Sequence, residues 1–246
     1  MAQKNMVFGI RAIIEAIYAG KQIDKVLLKK GVSGDLFKEL FDTIRKYDIP
    51  YQMVPVERIN RVTTKNHQGA VAFISAIEYQ NLEEVLIRIF ENGETPFILF
   101  LDGVTDIRNF GAISRSAIAA GVHAIVIPEK GSAVINSDSI KTSAGALYEI
   151  PVCRIKNTNV TIEYLKDSGL KIVCATEKGN DLYYNMDFNC PVAIIMGSED
   201  TGISQSIIKK ADCLCNIPIQ GPVGSLNVSV AAGIFMFEVV RQRLIL

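Results

Sequence analysis

Residues Ile217 to Arg243 read I-P-I-Q-G-P-V-G-S-L-N-V-S-V-A-A-G-I-F-M-F-E-V-V-R-Q-R, and the rest of the chain is read outward from them. The segment Asn216–Ile219 is extended, and a loop carrying Gly221, Pro222 and Gly224 follows it. Ser225, Leu226 and Asn227 then stand at the mouth of a helix. Glycine lets backbone approach a ligand closely, and Ser or Asn supplies an acceptor for the free N–H groups of a helix start. Such a mouth is a polar cradle for a small molecule. The helix itself is apolar on nearly every side (Val228, Val230, Ala231, Ile234, Phe235, Met236, Phe237, Val239, Val240). That pattern belongs in a deep core or against a second subunit.

Upstream, short apolar runs alternate with helical patterns. Strands are expected at Phe97–Leu101, Ala124–Ile127, Glu149–Arg154, Lys171–Ala175 and Val192–Met196, with helices at Asn109–Ala120, Asp138–Ala144, Thr161–Asp167 and Ser204–Ala211. This alternation implies an α/β domain over residues 96–246, with a mostly parallel sheet covered on both faces. Its ligand belongs at the C-terminal ends of the strands. Residues 1–76 form a smaller α/β unit with helices at Ile10–Ala19, Gly34–Tyr47 and Val56–Arg61 and strands at Lys25–Leu28, Tyr51–Val54 and Ala70–Ile74. Residues 77–95, polar from Glu78 to Glu84 and closed by Asn92-Gly93-Glu94-Thr95-Pro96, are expected to link the two, with a helix running to Phe90.

Lys and Arg total 26, as do Asp and Glu, so net charge alone says nothing about nucleic acid. The distribution is uneven: residues 1–80 hold 12 basic and 8 acidic side chains, +4, which leaves −4 for the remainder. A basic front points to an anionic partner there, while ordinary solvated helix faces fit the charge equally well. Cys153, Cys174, Cys190, Cys213 and Cys215 include no C-x-x-C pair, and His67 and His123 stand alone, so no metal site is expected. Cysteines among apolar neighbours suit a reducing compartment. Lys4, Arg11 and Glu15 interrupt any signal-peptide core, and Ser229 and Glu238 break the last helix's apolar run. A soluble cytoplasmic protein without membrane contact is expected.

The chain lacks a dinucleotide fingerprint, a P-loop and a nucleophile elbow. Three glycine-bearing loops remain. The first, Asp102 to Arg115, holds Asn109 as a possible helix cap, with Arg115 leaving a different helical face; judged alone, Arg115 is a surface ion-pair former. The second, Met196-Gly197-Ser198-Glu199-Asp200-Thr201-Gly202-Ile203-Ser204, places acceptors where the sheet's ligand belongs, or is simply a turn capped by Ser204. The third is the loop before the last helix.

N-F-G-A-I-S-R at 109–115, I-I-M-G-S-E-D-T-G-I-S at 194–204 and I-P-I-Q-G-P-V-G-S-L-N-V-S-V-A at 217–231 together resemble the SpoU (TrmH-type) branch of the SPOUT RNA 2′-O-methyltransferases. The chain is most similar to the RlmB type, which methylates a guanosine ribose in 23S ribosomal RNA. F-G-I-R-A-I-I-E-A-I at 8–17 and N-H-Q-G-A-V-A at 66–72 resemble that type's RNA-binding domain.

The resemblance implies a C-terminal trefoil knot, S-adenosylmethionine as cofactor, a homodimer formed through the knotted region and no metal. By resemblance, Ala175, Thr176, Gly197, Ser198, Glu199, Gly202, Ile217, Ile219, Ser225, Leu226 and Asn227 hold the cofactor. Arg115, Asn109, Glu199, Ser225 and Asn227 form the catalytic set. The proton-acceptor role that resemblance gives Arg115 is physically awkward, since guanidinium hardly deprotonates. A phosphate clamp that stabilises the developing alkoxide suits it better. A transfer-RNA substrate, or a non-catalytic RNA-binding or assembly protein of the same fold, are the alternatives.

Overall fold

The computed structural model describes residues 6–244. The chain folds as two units: one runs up to Glu78 and takes in Val134–Ser137, the other holds Tyr79–Ala133 and the chain from Asp138 onward.

The first unit contains β1 (Met6–Phe8), α1 (Ile10–Tyr18), β2 (Ile23–Lys29), α2 (Asp35–Lys46), β3 (Tyr51–Val54), α3 (Val56–Val62) and β4 (Ala70–Ile74). The sheet order is β1-β4-β2-β3, with β4 antiparallel to β1 and β2, and β2 parallel to β3. In α1 the buried Ile10, Ile13, Ile14 and Ile17 fall at the spacing of one helical face. With Leu40 and Ile44 of α2 they cover one side of the sheet. On the other side Ile59 of α3 packs with Leu27, Val54 and Val71.

The second unit contains α4 (Leu82–Glu91), β5 (Phe97–Asp102), α5 (Ile107–Ala119), β6 (Ala124–Pro128), α6 (Ser137–Thr142, whose first residue belongs to the other unit) and β7 (Val152–Ile155). It continues with α7 (Thr158–Asp167), β8 (Lys171–Ala175), β9 (Asp181–Leu182), β10 (Val192–Gly197), α8 (Gln205–Ile208), β11 (Cys213–Asn216) and α9 (Val228–Leu244). The seven strands lie in the order β7-β6-β5-β10-β8-β11-β9, and every pairing is parallel. Burial of both faces explains why β5 and β10 are continuous apolar runs rather than alternating ones.

The segment expected as a linker carries α4, whose Leu82, Val85, Leu86 and Ile89 are buried in the second unit's core. Each such side chain contributes about 1.5–3 kcal/mol when fully buried, so this helix is part of the unit rather than a tether. Asn81 caps it by accepting from the N–H groups of Glu83 and Glu84. Asn109 does not cap α5. Asp106 does, accepting from the Arg108 and Asn109 N–H groups at 2.7 and 3.0 Å. The helix therefore starts at Ile107, and the Asn109 side chain is free for other partners.

The last turns of α9 tie down a loop. Arg243 donates to the carbonyl oxygens of Thr95, Pro96, Phe188 and Cys190 at 2.9–3.2 Å. Gln242 bonds Phe188 N–H and the Met186 carbonyl, both at 2.8 Å. The buried Glu238 accepts a two-pronged pair of bonds from Arg241 at 2.7 and 2.8 Å, which holds its carboxyl below the usual range. Arg243→Ala leaves those carbonyls without their charged donor. Unfolding should become easier by about 2–4 kcal/mol, given about 1–3 kcal/mol for each buried polar group left unsatisfied. Denaturant titration checks it; a loss below about 1 kcal/mol would show that water replaces the guanidinium at little cost.

Candidate active site

A cavity of about 490 Å³ opens at the C-terminal ends of β8, β10 and β11. The strand sequence reverses direction between β5 and β10, where ligands of open parallel sheets gather. Ala175, Thr176, Gly197, Ser198, Glu199, Gly202, Ile217, Ile219, Ser225 and Leu226 all line it. Of the residues expected to hold a cofactor, only Asn227 is not in the lining.

The loop after β10 closes on itself. Ser198 N–H donates to the Gly202 carbonyl at 3.2 Å, and Gly202 N–H returns to the Ser198 carbonyl at 3.0 Å. The Ser198 and Thr201 hydroxyls bond at 2.7 Å. Gly202 sits at φ 68°, a conformation glycine adopts without strain. Ser204 precedes α8, yet its side chain makes no cap bond there; its N–H donates to the Asp102 carboxylate at 2.7 Å, joining the ends of β5 and β10.

Asn227 caps α9 by accepting from Ser229 N–H at 2.9 Å. Its amide donates to the Asn109 side-chain oxygen at 3.1 Å and to the Glu199 carboxylate at 3.2 Å. Asn109 in turn donates to the same Glu199 oxygen. One carboxylate thus gathers the three glycine-bearing loops at the cavity rim. The residue separations of 118, 90 and 28 make this convergence a product of the fold, not of local sequence.

Arg115 lies elsewhere. It is exposed on α5, outside the cavity lining, and has no ion-pair partner among the described residues. On α9, Val230, Phe237 and Leu244 recur every seven residues and are 51%, 50% and 78% exposed, an uncovered apolar stripe. Neither histidine belongs to the cavity. His123 Nδ1 accepts from Phe97 N–H at 3.0 Å and Nε2 faces Glu94 at 3.2 Å, with burial lowering its pKa. Cys153, Cys174 and Cys215 are buried thiols pushed up to about 12 by desolvation, so they remain protonated. No group of His, Cys, Asp or Glu among the described residues could hold a metal ion, and no helix among them is long and apolar enough to cross a membrane.

Residues 96–237 match the model of the SpoU rRNA Methylase family, and residues 6–80 that of RNA 2′-O ribose methyltransferase substrate binding. The chain belongs to the SpoU methylase family. YacO of Bacillus subtilis (strain 168), named for the TrmH family of tRNA/rRNA methyltransferases, is 35% identical over 98% of this chain and 97% of its own length. A Staphylococcus saprophyticus relative of the same naming is 36% identical over 97% of this chain and 96% of its own. Among solved structures, the AdoMet-bound rRNA methyltransferase of Sinorhizobium meliloti superposes with a TM-score of 0.62 over 96% of this chain and 87% of its own. At 24% identity it speaks for the fold. The A. aeolicus TrmH/SpoU tRNA modifying enzyme is 31% identical, with a TM-score of 0.56 over 66% of this chain and 84% of its own. The SPOUT-type α/β fold and the small N-terminal substrate-binding domain expected from the motifs are thereby established.

Proposed function

We propose that this protein transfers a methyl group from S-adenosylmethionine to the 2′-hydroxyl of a guanosine ribose in 23S ribosomal RNA. The observation that carries the reading is the cavity at the C-terminal ends of β8, β10 and β11, with the Asn109–Glu199–Asn227 cluster at its rim. The cavity suits the donor's mixed chemistry: Ile217, Ile219, Leu226 and Phe235 offer apolar contact for an adenine, while Thr176, Ser198 and Glu199 offer polar atoms for its ribose and its ammonium group. When bound, S-adenosylmethionine supplies an already activated methyl, so the protein's work is alignment.

In this reading the rim carboxylate of Glu199 holds Asn109 and Asn227, and through them α5 and α9, in fixed positions. Ser225 and Asn227 orient donor and hydroxyl. Arg115 clamps a substrate phosphate and stabilises the alkoxide that develops as the 2′-hydroxyl loses its proton to phosphate or water. Its position outside the lining suits a group that meets the RNA rather than the donor. The Val230–Phe237–Leu244 stripe supports a homodimer formed through the C-terminal segment, and the family resemblance supports a trefoil knot there. Sedimentation at twice 27.0 kDa checks the dimer. Residues 1–76 are the proposed RNA-holding domain, and the cytoplasm the proposed compartment.

Incubation with labelled donor and unmodified ribosomal or transfer RNA, followed by mass spectrometry of the modified nucleoside, tests the function. A 2′-O-methylguanosine in 23S RNA is expected. Modification of transfer RNA alone would move the substrate, and no incorporation into either would point to a binding or assembly role.

A further inference from the structure

The first unit's sheet face beneath α3 combines half-buried aromatic side chains with unneutralised cations. Cross-strand registry sets Met6, Phe73 and Lys25 side by side on β1, β4 and β2, and the next row begins with Phe8 opposite Val71. Alternation along a strand puts both rows on the same side. Ile59 of α3 packs on the central part of this face, with Met6, Phe8 and Phe73 only partly buried at its margin. The Lys65 ammonium stands 5.1 Å from the centre of the Phe8 ring. Lys25 is half-buried, and its amine is pushed below the ordinary lysine range first by burial and then by the Arg58 guanidinium. Bringing two cations together costs energy, which an arriving anion would return. Among the described residues, Lys25, Arg58 and Lys65 join no ion pair.

We infer that this face, with Phe8 and Phe73 as stacking surfaces and Lys25, Arg58 and Lys65 as phosphate contacts, binds an unpaired stretch of RNA. A row of cations alone would suit any polyanion. Partly exposed rings beside them suit unstacked bases, since duplex RNA hides its base faces. The inference deepens the proposed function by naming the form of RNA the front unit takes and the surface that takes it.

The test is filter binding of the full-length chain to a fluorescein-labelled oligouridylate, with a duplex RNA of equal length and poly-glutamate as competitors. The triple variant Lys25→Glu/Arg58→Glu/Lys65→Glu should bind at least about 30-fold more weakly. Its salt dependence should be shallower by about 2, because each lost phosphate contact removes about 0.7 from the slope for single strands. The double variant Phe8→Leu/Phe73→Leu keeps the apolar packing and should bind about 5-fold more weakly with an unchanged salt slope. Circular dichroism and S-adenosylmethionine affinity at wild-type values show that each variant is folded. Wild-type binding by both folded variants, equal competition by duplex or poly-glutamate, or no binding by the wild type would each overturn the inference. Oligouridylate binding that the variants lose, without methyl transfer to any RNA, would sink the proposed function and leave this surface standing. Methyl transfer with unaltered binding in both variants would do the reverse.

Discussion

Gly197→Ala should lower S-adenosylmethionine affinity by at least about 100-fold while leaving the protein folded. A Cβ at this position would lie 2.2 Å from the Gly202 carbonyl carbon and 2.4 Å from the Ile203 nitrogen. Both are backbone atoms, so no rotamer change relieves the overlap, and the 198–202 turn must move bodily. Reciprocal bonds between Ser198 and Gly202 hold that turn shut, and it forms one wall of the cavity. A displacement of about 1 Å there spoils several contacts at once, which is how a small misplacement reaches a 100-fold effect. The strand below is secured by Val192–Met196 in the core, so the damage stays local. Gly221→Ala is the control: its added methyl meets nothing within 4 Å, and it lies outside the cavity lining. Calorimetric titration reads both variants. Donor binding by Gly197→Ala within about 3-fold of wild type would show that this cavity is not where the donor sits.

The second unit's strands are legible in the sequence because burial on both faces writes them as apolar runs bounded by turn residues, as in Phe97–Leu101 and Val192–Met196. β1 and β9 are not, since stretches of 3 and 2 residues carry no period to recognise. The order β5-β10-β8 does not follow from local pattern either, because it depends on which crossovers the chain makes between strands some 90 residues apart. α4 reads as a tether because its exposed face is Glu-rich, while its buried face follows the helical period through Leu82, Val85, Leu86 and Ile89. Asn109 illustrates competition between equivalent signals. Asp106 and Asn109 are both good caps, and the structure gives the cap to Asp106, which frees Asn109 for Glu199. Motif resemblance brings together the residues that line the cavity. The carboxylate that joins the three loops becomes visible only with side chains in place.

Arg115→Ala should reduce the turnover of RNA methylation by about 1,000-fold with donor affinity within 2-fold of wild type. The two halves of that expectation have separate grounds. Arg115 is outside the cavity lining, so the donor has nothing to lose. It is also exposed and, among the described residues, unpaired, so its removal takes no fold-stabilising contact and the melting temperature should hold. What remains is its proposed role toward RNA: a planar fork gripping a phosphate in two-pronged fashion while charge develops on the ribose oxygen. Loss of one preorganised donor to a developing oxyanion costs about 100- to 1,000-fold. Arg115→Lys discriminates the fork from a bare charge. Lysine keeps the cation but not the paired N–H geometry, so it should recover no more than about a tenth of the wild-type rate. Near-normal turnover in Arg115→Lys would remove the need for the fork. Near-normal turnover in Arg115→Ala would return this residue to the ordinary surface cation that its place on α5, taken alone, suggests.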